Sequence, residues 1–273
     1  MQFLRVFVSV LAAIFVSLMV LFTVLDMFKQ NAPVLTCKVE DVITVPSNAT
    51  DEDLLKYITA SDEEDGDLTD RIVVERQMYF LEKGVSNVIF SVCDSDNNTS
   101  KLSKNIKFED YHSPEIELHN DLIIPVKYSL DFKNSVTVID KFDGDISNRI
   151  KIISPSFNNL IAGQYDINFK VTNSFSDTCD ITVKAIVTDE DYSAAQIKLS
   201  KYLIYIDKGE TPDFSSYITS VINYNQLGYN TYHVSIDSTE FKPEEGVYNI
   251  YYSIKSGNDT VTKTRLIVIV RGE

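Results

Sequence analysis

An eleven-residue acidic motif occurs twice in this chain and constrains its fold more than any other feature. It reads DEEDGDLTDRI from Asp62 to Ile72 and DKFDGDISNRI from Asp140 to Ile150. The surrounding sequence repeats as well, because similar openings begin at Ala32, Ser113 and Ala194, at two intervals of 81 residues. A period of this length indicates a tandem array of small domains rather than one large fold.

Runs of alternating apolar and polar residues follow a glycine in each repeat. The run after Gly163 is an example, with apolar side chains at Tyr165, Ile167, Phe169 and Val171. This is the period of a strand with one face on a core and one in solvent. Several such strands in roughly 80 residues, with turn signals between them, are typical of an immunoglobulin-type sandwich. We therefore predict an all-β protein of tandem immunoglobulin-like β-sandwiches, each with its own core, over 32–112, 113–193 and 194–273.

The motif Asp-x-x-Asp-Gly-Asp-[Leu/Ile]-x-x-Arg-Ile, with a later Gly-x-Tyr, resembles the bacterial Ig-like domains found in tandem on cell-surface proteins and in some pesticidal crystal toxins. Gly-x-Tyr is present at Gly163–Tyr165 and Gly246–Tyr248, whereas the first repeat has Gly84-Val85-Ser86. The third repeat lacks the acidic motif and reads NYNQLG from Asn223. The resemblance implies a fold and a surface habitat, and it supplies no catalytic residue.

An apolar stretch without charges, Val6 to Leu25, precedes the repeats. As a helix it is about 30 Å long, the thickness of the hydrocarbon core of a bilayer. It is longer than the apolar core of a signal peptide, and no small-x-small cleavage site follows it. We predict a transmembrane helix over 6–25 and a cytoplasmic tail over 1–5, because Arg5 precedes the stretch. The protein would then be a single-pass cell-membrane protein with an extracellular carboxy-terminal region; a cleaved signal peptide is the alternative.

The charge balance limits the possible partners. Lys and Arg number 25 against 40 Asp and Glu, and such an excess of negative charge repels phosphate backbones. Nucleic acid is therefore not expected as a partner. Acidic surfaces suit divalent cations, basic partners or simple solubility.

Three cysteines, Cys37, Cys93 and Cys179, cannot all form disulfides within the chain. Cys37 and Cys93 lie in the same repeat and could pair. Because they fall at strand positions that need not face each other, free thiols are the favoured interpretation.

The acidic motif has two interpretations as a site. In the first it is a turn device, in which glycine supplies the backbone conformation and Asp side chains accept hydrogen bonds from nearby N–H groups. In the second it holds calcium, which prefers six to eight oxygen ligands. The candidate ligands in the first repeat are Asp62, Asp65, Asp67, Asp94 and Asp96. Catalysis by paired carboxylates is disfavoured, since two nearly identical copies do not provide the distinct environments that an acid and a base need.

Tyrosines are concentrated in the third repeat. Nine of the fifteen lie there, and the segment after Asn223 carries Tyr224, Tyr229 and Tyr232 among amides and a glycine. This mixture is typical of recognition loops, so these three tyrosines are the predicted contact residues. The alternative is that they pack inward, because tyrosine is also a favoured strand residue.

The sequence therefore predicts a non-catalytic adhesion or surface-display module that binds an extracellular protein or a glycan. A structural component of an envelope assembly, of the division or secretion type, is the alternative. No sequence motif supports an enzyme.

Overall fold

The structure, a computed structural model, describes residues 2–27, 32–224, 226–256 and 258–272. The chain divides into two units, Met1–Asp110 and Tyr111–Glu273. Apart from the amino-terminal helix, both units are built mainly of β-strands. The all-β prediction is confirmed for the repeat region.

The first unit begins with helix α1, Gln2–Met27. Its described side chains, Val6 to Leu21, are all exposed. Among the residues that the structure describes, no helical stretch has both the length and the apolar character needed to cross a bilayer. The transmembrane span predicted over 6–25 is therefore not confirmed, and neither is the cytoplasmic tail predicted over 1–5.

The first repeat folds into two facing sheets. Its strands are β1 (Val34–Cys37), β2 (Val42–Val45), β3 (Ile58–Asp62), β4 (Gly66–Asp67), β5 (Val73–Glu82), β6 (Val85–Cys93) and β7 (Thr99–Phe108). One sheet has the order β1-β3-β4 and the other β2-β7-β6-β5, with β2 parallel to β7. Buried side chains from both sheets form the core, including Ile43, Ile58, Phe90 and Ile106. A helical turn, α2 (Asp51–Leu55), begins at a capping box formed by Thr50 and Asp53.

The second repeat has the same architecture. Its strands are β8 (Glu115–Leu118), β9 (Ile123–Pro125), β10 (Val136–Asp140), β11 (Gly144–Asp145), β12 (Lys151–Ile153), β13 (Gly163–Thr172) and β14 (Thr178–Thr188). The sheets are β11-β10-β8 and β12-β13-β14-β9, with β9 parallel to β14. Ile116 and Val138 from the first sheet meet Ile167, Phe169 and Val183 from the second in one core.

The third repeat keeps the larger sheet and reduces the smaller one. Its strands are β15 (Ala195–Leu199), β16 (Leu203–Asp207), β17 (Ile218–Asn223), β18 (Ser235–Asp237), β19 (Gly246–Ser256) and β20 (Asp259–Arg271). The sheets are β15-β17 and β16-β20-β19-β18, with β16 parallel to β20. Their core contains Ile197, Ile250, Tyr252 and Val268.

Short 3-10 turns connect the strands in all three repeats. They are Thr69–Arg71, Lys133–Ser135, Ser147–Arg149, Phe214–Tyr217 and Thr231–His233. Two of them, Thr69–Arg71 and Ser147–Arg149, occupy the same place in the two copies of the acidic motif. The copies therefore share a backbone as well as a sequence pattern.

The Gly-x-Tyr motif has a structural role at the start of β13 and β19. The Tyr165 hydroxyl donates to the Ile161 carbonyl at 2.8 Å, and the Tyr248 hydroxyl donates to the Glu244 carbonyl at 3.0 Å. A Cβ atom at Gly246 would lie only 3.2 Å from the Tyr248 hydroxyl oxygen. The glycine thus leaves room for the ring over the backbone.

The second and third repeats pack against each other through two strands that contribute to both of their cores. Strand β20 alternates between two cores: Ile267 packs in the core of the second repeat, and Leu266 and Val268 pack in that of the third. Strand β16 does the same with Leu203 and Ile204. The outer face of the third repeat's larger sheet is thus covered by the second repeat, and the two form one unit.

Candidate functional site

The acidic residues of the first repeat come together at one end of its sandwich. Asp62, Asp65, Asp94 and Asp96 line a small polar pocket of about 20 Å³, and Asp67 is not part of that lining. This volume is comparable to the space that one water molecule occupies. Four of the five candidate calcium ligands therefore lie close together in the structure.

The carboxylates of Asp62 and Asp65 already accept hydrogen bonds from backbone N–H groups. Asp62 Oδ1 accepts from the N–H groups of Glu64 at 2.8 Å and Asp65 at 3.0 Å. The Asp65 carboxylate accepts from the Ser95 N–H at 2.6 Å and the Ser95 hydroxyl at 2.8 Å. Arg71 Nη1 lies 3.8 Å from Asp65 Oδ2. The motif thus fixes its own turn and joins it to the hairpin between β6 and β7.

Asp67 and Asp94 also accept hydrogen bonds from groups of their own repeat. Asp67 accepts from the Thr69 N–H at 2.9 Å, and hydrogen bonds from Thr69 lower the pKa of Asp67. Asp94 accepts from the N–H groups of Asp96 at 2.9 Å and Asn98 at 2.8 Å. Burial alone would raise the pKa of Asp94, but the hydrogen bonds from Asn98 and Asp96 outweigh it and the pKa is lowered.

The second acidic motif reproduces this network. Asp140 Oδ1 accepts from the N–H groups of Phe142 at 2.9 Å and Asp143 at 2.8 Å. Asp143 accepts from the Ser174 N–H at 2.8 Å, from its hydroxyl at 2.6 Å and from Arg149 Nη1 at 2.5 Å. Both copies place a glycine in the left-handed region, Gly66 at φ 76° and Gly144 at φ 69°. The hydrogen bonds agree with the turn-device interpretation.

The calcium prediction is not confirmed. Within the described part of the chain, no three His, Cys, Asp or Glu side chains are arranged to hold a metal ion.

The thiols of Cys37 and Cys93 are free, which agrees with the favoured interpretation of those two residues.

The three predicted contact tyrosines have different environments. Tyr232 is 94% exposed and Tyr224 is 60% exposed. Tyr229 packs against the core of the third repeat. Several other tyrosines of this repeat also pack inward, with Tyr252 fully buried. The inward-packing alternative thus holds for Tyr229, whereas Tyr224 and Tyr232 are exposed and their contact role stays a prediction.

A groove that the sequence analysis did not predict lies between the second and third repeats. Its volume is about 540 Å³, within the range of roughly 300–1,000 Å³ that is common for ligand sites. Four tyrosines line it: Tyr128, Tyr192, Tyr202 and Tyr224. Of the predicted contact tyrosines, only Tyr224 belongs to this lining, and its hydroxyl lies 3.1 Å from Gln196 Oε1.

Carboxylates lie in the lining of the same groove. Glu190 and Asp191, in the linker between β14 and β15, are exposed. The Tyr192 hydroxyl donates to Glu190, and burial together with this bond raises the pKa of Tyr192. Asp191 accepts from the Ser193 N–H at 2.9 Å, and hydrogen bonds from Ser193 lower the pKa of Asp191. Asp191 is therefore ionised at neutral pH.

A buried polar contact joins the two repeats beside the groove. Asp121 accepts from the Thr264 hydroxyl at 2.9 Å, and its Oδ1 lies 3.9 Å from Arg265 Nε. Arg265 is 1% exposed and donates to the Lys184 carbonyl at 2.6 Å. Burial raises the pKa of Asp121, and the positive charge of Arg265 opposes that shift. The contact holds one wall of the groove against the other.

Residues far apart in the chain build this groove, which is why sequence reasoning missed it. One signal was present: the uninterrupted apolar run Leu266–Val270 lacks the polar alternation of a strand with one solvent face. Such a run is typical of a strand that is covered on both faces. It could have indicated that β20 contacts a second layer.

Comparison with known proteins does not assign a family. No family model matches the chain. An uncharacterized 81.3 kDa protein of Acholeplasma phage L2 is 29% identical over 145 residues, which is 50% of this chain and 20% of that protein. The chain thus spans about a fifth of the length of the curated relative that it matches.

Several solved structures align with most of the chain at low similarity. The CBM51-2 and INT domains of Clostridium perfringens ZmpB, in complex with GlcNAc, are 17% identical; the alignment covers 88% of this chain and 42% of that one, with a TM-score of 0.23. The protocadherin GammaB4 extracellular domain is 11% identical and covers 88% and 49%, with a TM-score of 0.21. Lipoprotein BT2262 of Bacteroides thetaiotaomicron is 10% identical and covers 86% and 98%, with a TM-score of 0.22. TM-scores of this size do not establish a common arrangement of domains.

Proposed function

We propose that this chain is a non-catalytic binding module of the adhesion or surface-display type, and that its ligand occupies the groove between the second and third repeats. The observation that carries the proposal is the groove itself, with a volume of about 540 Å³ and a lining that combines tyrosines with carboxylates, amides and hydroxyls. Ligand sites commonly combine an apolar surface with a few polar groups that fix orientation.

The construction of the groove supports a binding role. Its walls belong to two sandwiches that pack against each other, with Leu203 and Ile267 of the third repeat in the core of the second, so they are positioned before a ligand arrives. A preformed site avoids part of the ordering cost of binding. The acidic turns are weaker candidates, because their carboxylates already accept hydrogen bonds from backbone N–H groups.

We include an extracellular location in the proposal. It is supported by the tandem β-sandwich architecture and by the resemblance of the acidic motif to bacterial surface domains. Protease treatment of intact cells tests it: the repeats should be cleaved while a cytoplasmic marker protein survives. Survival of the repeats alongside the marker would contradict this location.

A groove-filling substitution tests the binding role. Gln196 is exposed and lines the groove, so Gln196→Trp would place a large ring inside it. Gln164 is exposed on β13 and is not part of the groove lining, so Gln164→Trp is the matched control. The readout is attachment of the labelled full-length protein to arrays of extracellular proteins and glycans. We expect attachment to weaken about tenfold, or about 1.4 kcal/mol, with Gln196→Trp only; equal attachment by both variants would contradict the proposal.

A further inference from the structure

The groove has more negative than positive charge along its described lining. Glu190 and Asp191 are exposed in it, whereas Asp121, deeper in, is paired with Arg265. Lys263 is the one cationic side chain in this described lining, and its ammonium lies 4.5 Å from the centroid of the Tyr251 ring, which is outside the lining. A mobile ligand with positive charge would therefore meet the two exposed carboxylates, Glu190 and Asp191.

The exposed carboxylates also keep acceptor capacity. Glu190 accepts from the Tyr192 hydroxyl, and Asp191 accepts from the Ser193 N–H. An ionised carboxylate has about four lone-pair sites, so acceptor sites remain on both side chains for a donor from outside. In the acidic turns, by contrast, a single carboxylate such as that of Asp143 receives donors from both Ser174 and Arg149.

Aromatic surface also lines the groove. Tyr128 is 56% exposed and Tyr224 is 60% exposed, and both line the groove. The face of a tyrosine ring attracts ammonium and guanidinium groups, by about 0.5–1 kcal/mol at exposed sites. A neutral saccharide could also stack on these rings, but it would gain nothing from the excess negative charge.

We propose that the groove binds a cationic side chain, Lys or Arg, carried by a segment of a partner protein. This rests on the proposed function, because it names the ligand class of the same groove. The carboxylates of Glu190 and Asp191 would accept hydrogen bonds from the cation, while a tyrosine ring covers its aliphatic stem. The net charge of −15 on the chain would also favour the approach of a basic partner.

The test uses the full-length protein in detergent and three defined probes. They are a fluorescent tetra-lysine peptide, the same peptide with every lysine acetylated, and a neutral tetramer of N-acetylglucosamine. We expect tetra-lysine to bind and the acetylated peptide to bind about tenfold more weakly, since each factor of ten corresponds to about 1.4 kcal/mol. The saccharide should show no binding in the groove.

Two double variants locate the site. Glu190→Gln with Asp191→Asn removes both groove charges and keeps an acceptor for the Ser193 N–H. Glu240→Gln with Glu244→Gln removes the same number of charges from exposed positions outside the groove lining. We expect the first pair to weaken tetra-lysine binding about tenfold and the second less than about twofold, because screened surface charges contribute little.

Several results would overturn the cation proposal. Equal weakening by both double variants would mean that tetra-lysine binds through overall charge, and equal binding of the acetylated peptide would remove the need for a cation. Absence of tetra-lysine binding would also refute it. If only the saccharide binds, and Gln196→Trp abolishes that binding, the groove is a binding site for a different ligand class. If Gln196→Trp leaves every attachment unchanged, the proposed function itself fails.

Discussion

The acidic turns and the groove both contain several carboxylates, but they use them differently. In the turns, Asp62 and Asp143 accept hydrogen bonds from N–H groups of their own repeat. In the groove, Glu190 and Asp191 are exposed and line a volume of about 540 Å³. The difference shows that an acidic motif can be conspicuous in sequence because it builds a turn, while a binding surface is assembled from less conspicuous residues.

This comparison predicts that substitutions in the turns and at the junction reduce stability, whereas substitutions of groove charges reduce binding. The largest effect on stability is expected for Arg265→Met. It would leave Asp121 buried without its cation and remove the hydrogen bond to the Lys184 carbonyl. Breaking a buried pair in this way costs about 3 kcal/mol.

Urea unfolding of the full-length protein measures this loss. The matched control is Lys255→Met, which removes an exposed positive charge from the same repeat. A loss below about 1 kcal/mol for Arg265→Met would be the size of an ordinary exposed pair, and it would show that the junction contributes little to the stability of the second unit.

The two acidic turns can be compared directly with Asp143→Ala and Asp65→Ala. Both residues accept two hydrogen bonds from a serine, but the Asp143 side chain is less exposed, at 13% against 20%. Its arginine is also closer, at 2.5 Å against 3.8 Å. We expect losses of about 2 kcal/mol for Asp143→Ala and about 1 kcal/mol for Asp65→Ala. The reverse order in urea unfolding would show that the arginine contact does not set the difference.

The tyrosine loop offers a smaller contrast within one segment. Tyr229 packs against the core of the third repeat, whereas Tyr232 is 94% exposed. Tyr229→Ser should therefore cost about 1.5 kcal/mol of stability, and Tyr232→Ser should stay within about 0.5 kcal/mol. Thermal unfolding of the two single variants checks this, and equal melting temperatures would contradict the packing of Tyr229.

The smallest expected effect is on the loss of stability at acidic pH. The folded-state pKa values of Asp94 and Asp143 are lowered, below the unfolded value of about 3.9. Folding therefore favours the ionised form, and the resulting stability is present above about pH 4 and is lost as the pH falls through the folded-state pKa. Melting temperature should fall less steeply below about pH 4 in Asp94→Asn with Asp143→Asn than in the wild type. Parallel curves would assign the acid sensitivity to other groups.

The sequence predicted individual strands and turns, but it did not predict that the second and third repeats pack against each other. Alternation in β13 and β19 correctly indicated strands with one buried face, because a single strand carries that pattern in its own residues. The repeated motif correctly indicated two equivalent turns. The packing of the third repeat against the core of the second could not be read in the same way, since Ile267 and Leu203 look like ordinary strand residues until their partners are known.

The groove was missed for a related reason. Tyr128, Asp191, Tyr224 and Lys263 come from distant parts of the second unit, and only the packing of two sandwiches brings them together. The sequence did predict Tyr224 as a contact residue, because it lies among amides near a glycine. It also predicted Tyr229 as a contact residue, although Tyr229 packs inward. Composition alone does not show the direction of a side chain.

Hydrogen exchange of the full-length protein, measured by mass spectrometry with and without tetra-lysine, tests most directly whether the groove rather than the acidic turns is the binding surface. We predict that tetra-lysine protects the backbone over 188–197 and 262–264, which contribute to the groove lining. Exchange over 62–67 and 140–145, in the two acidic turns, should remain unchanged. Protection confined to those turns, with none in the groove, would contradict the account.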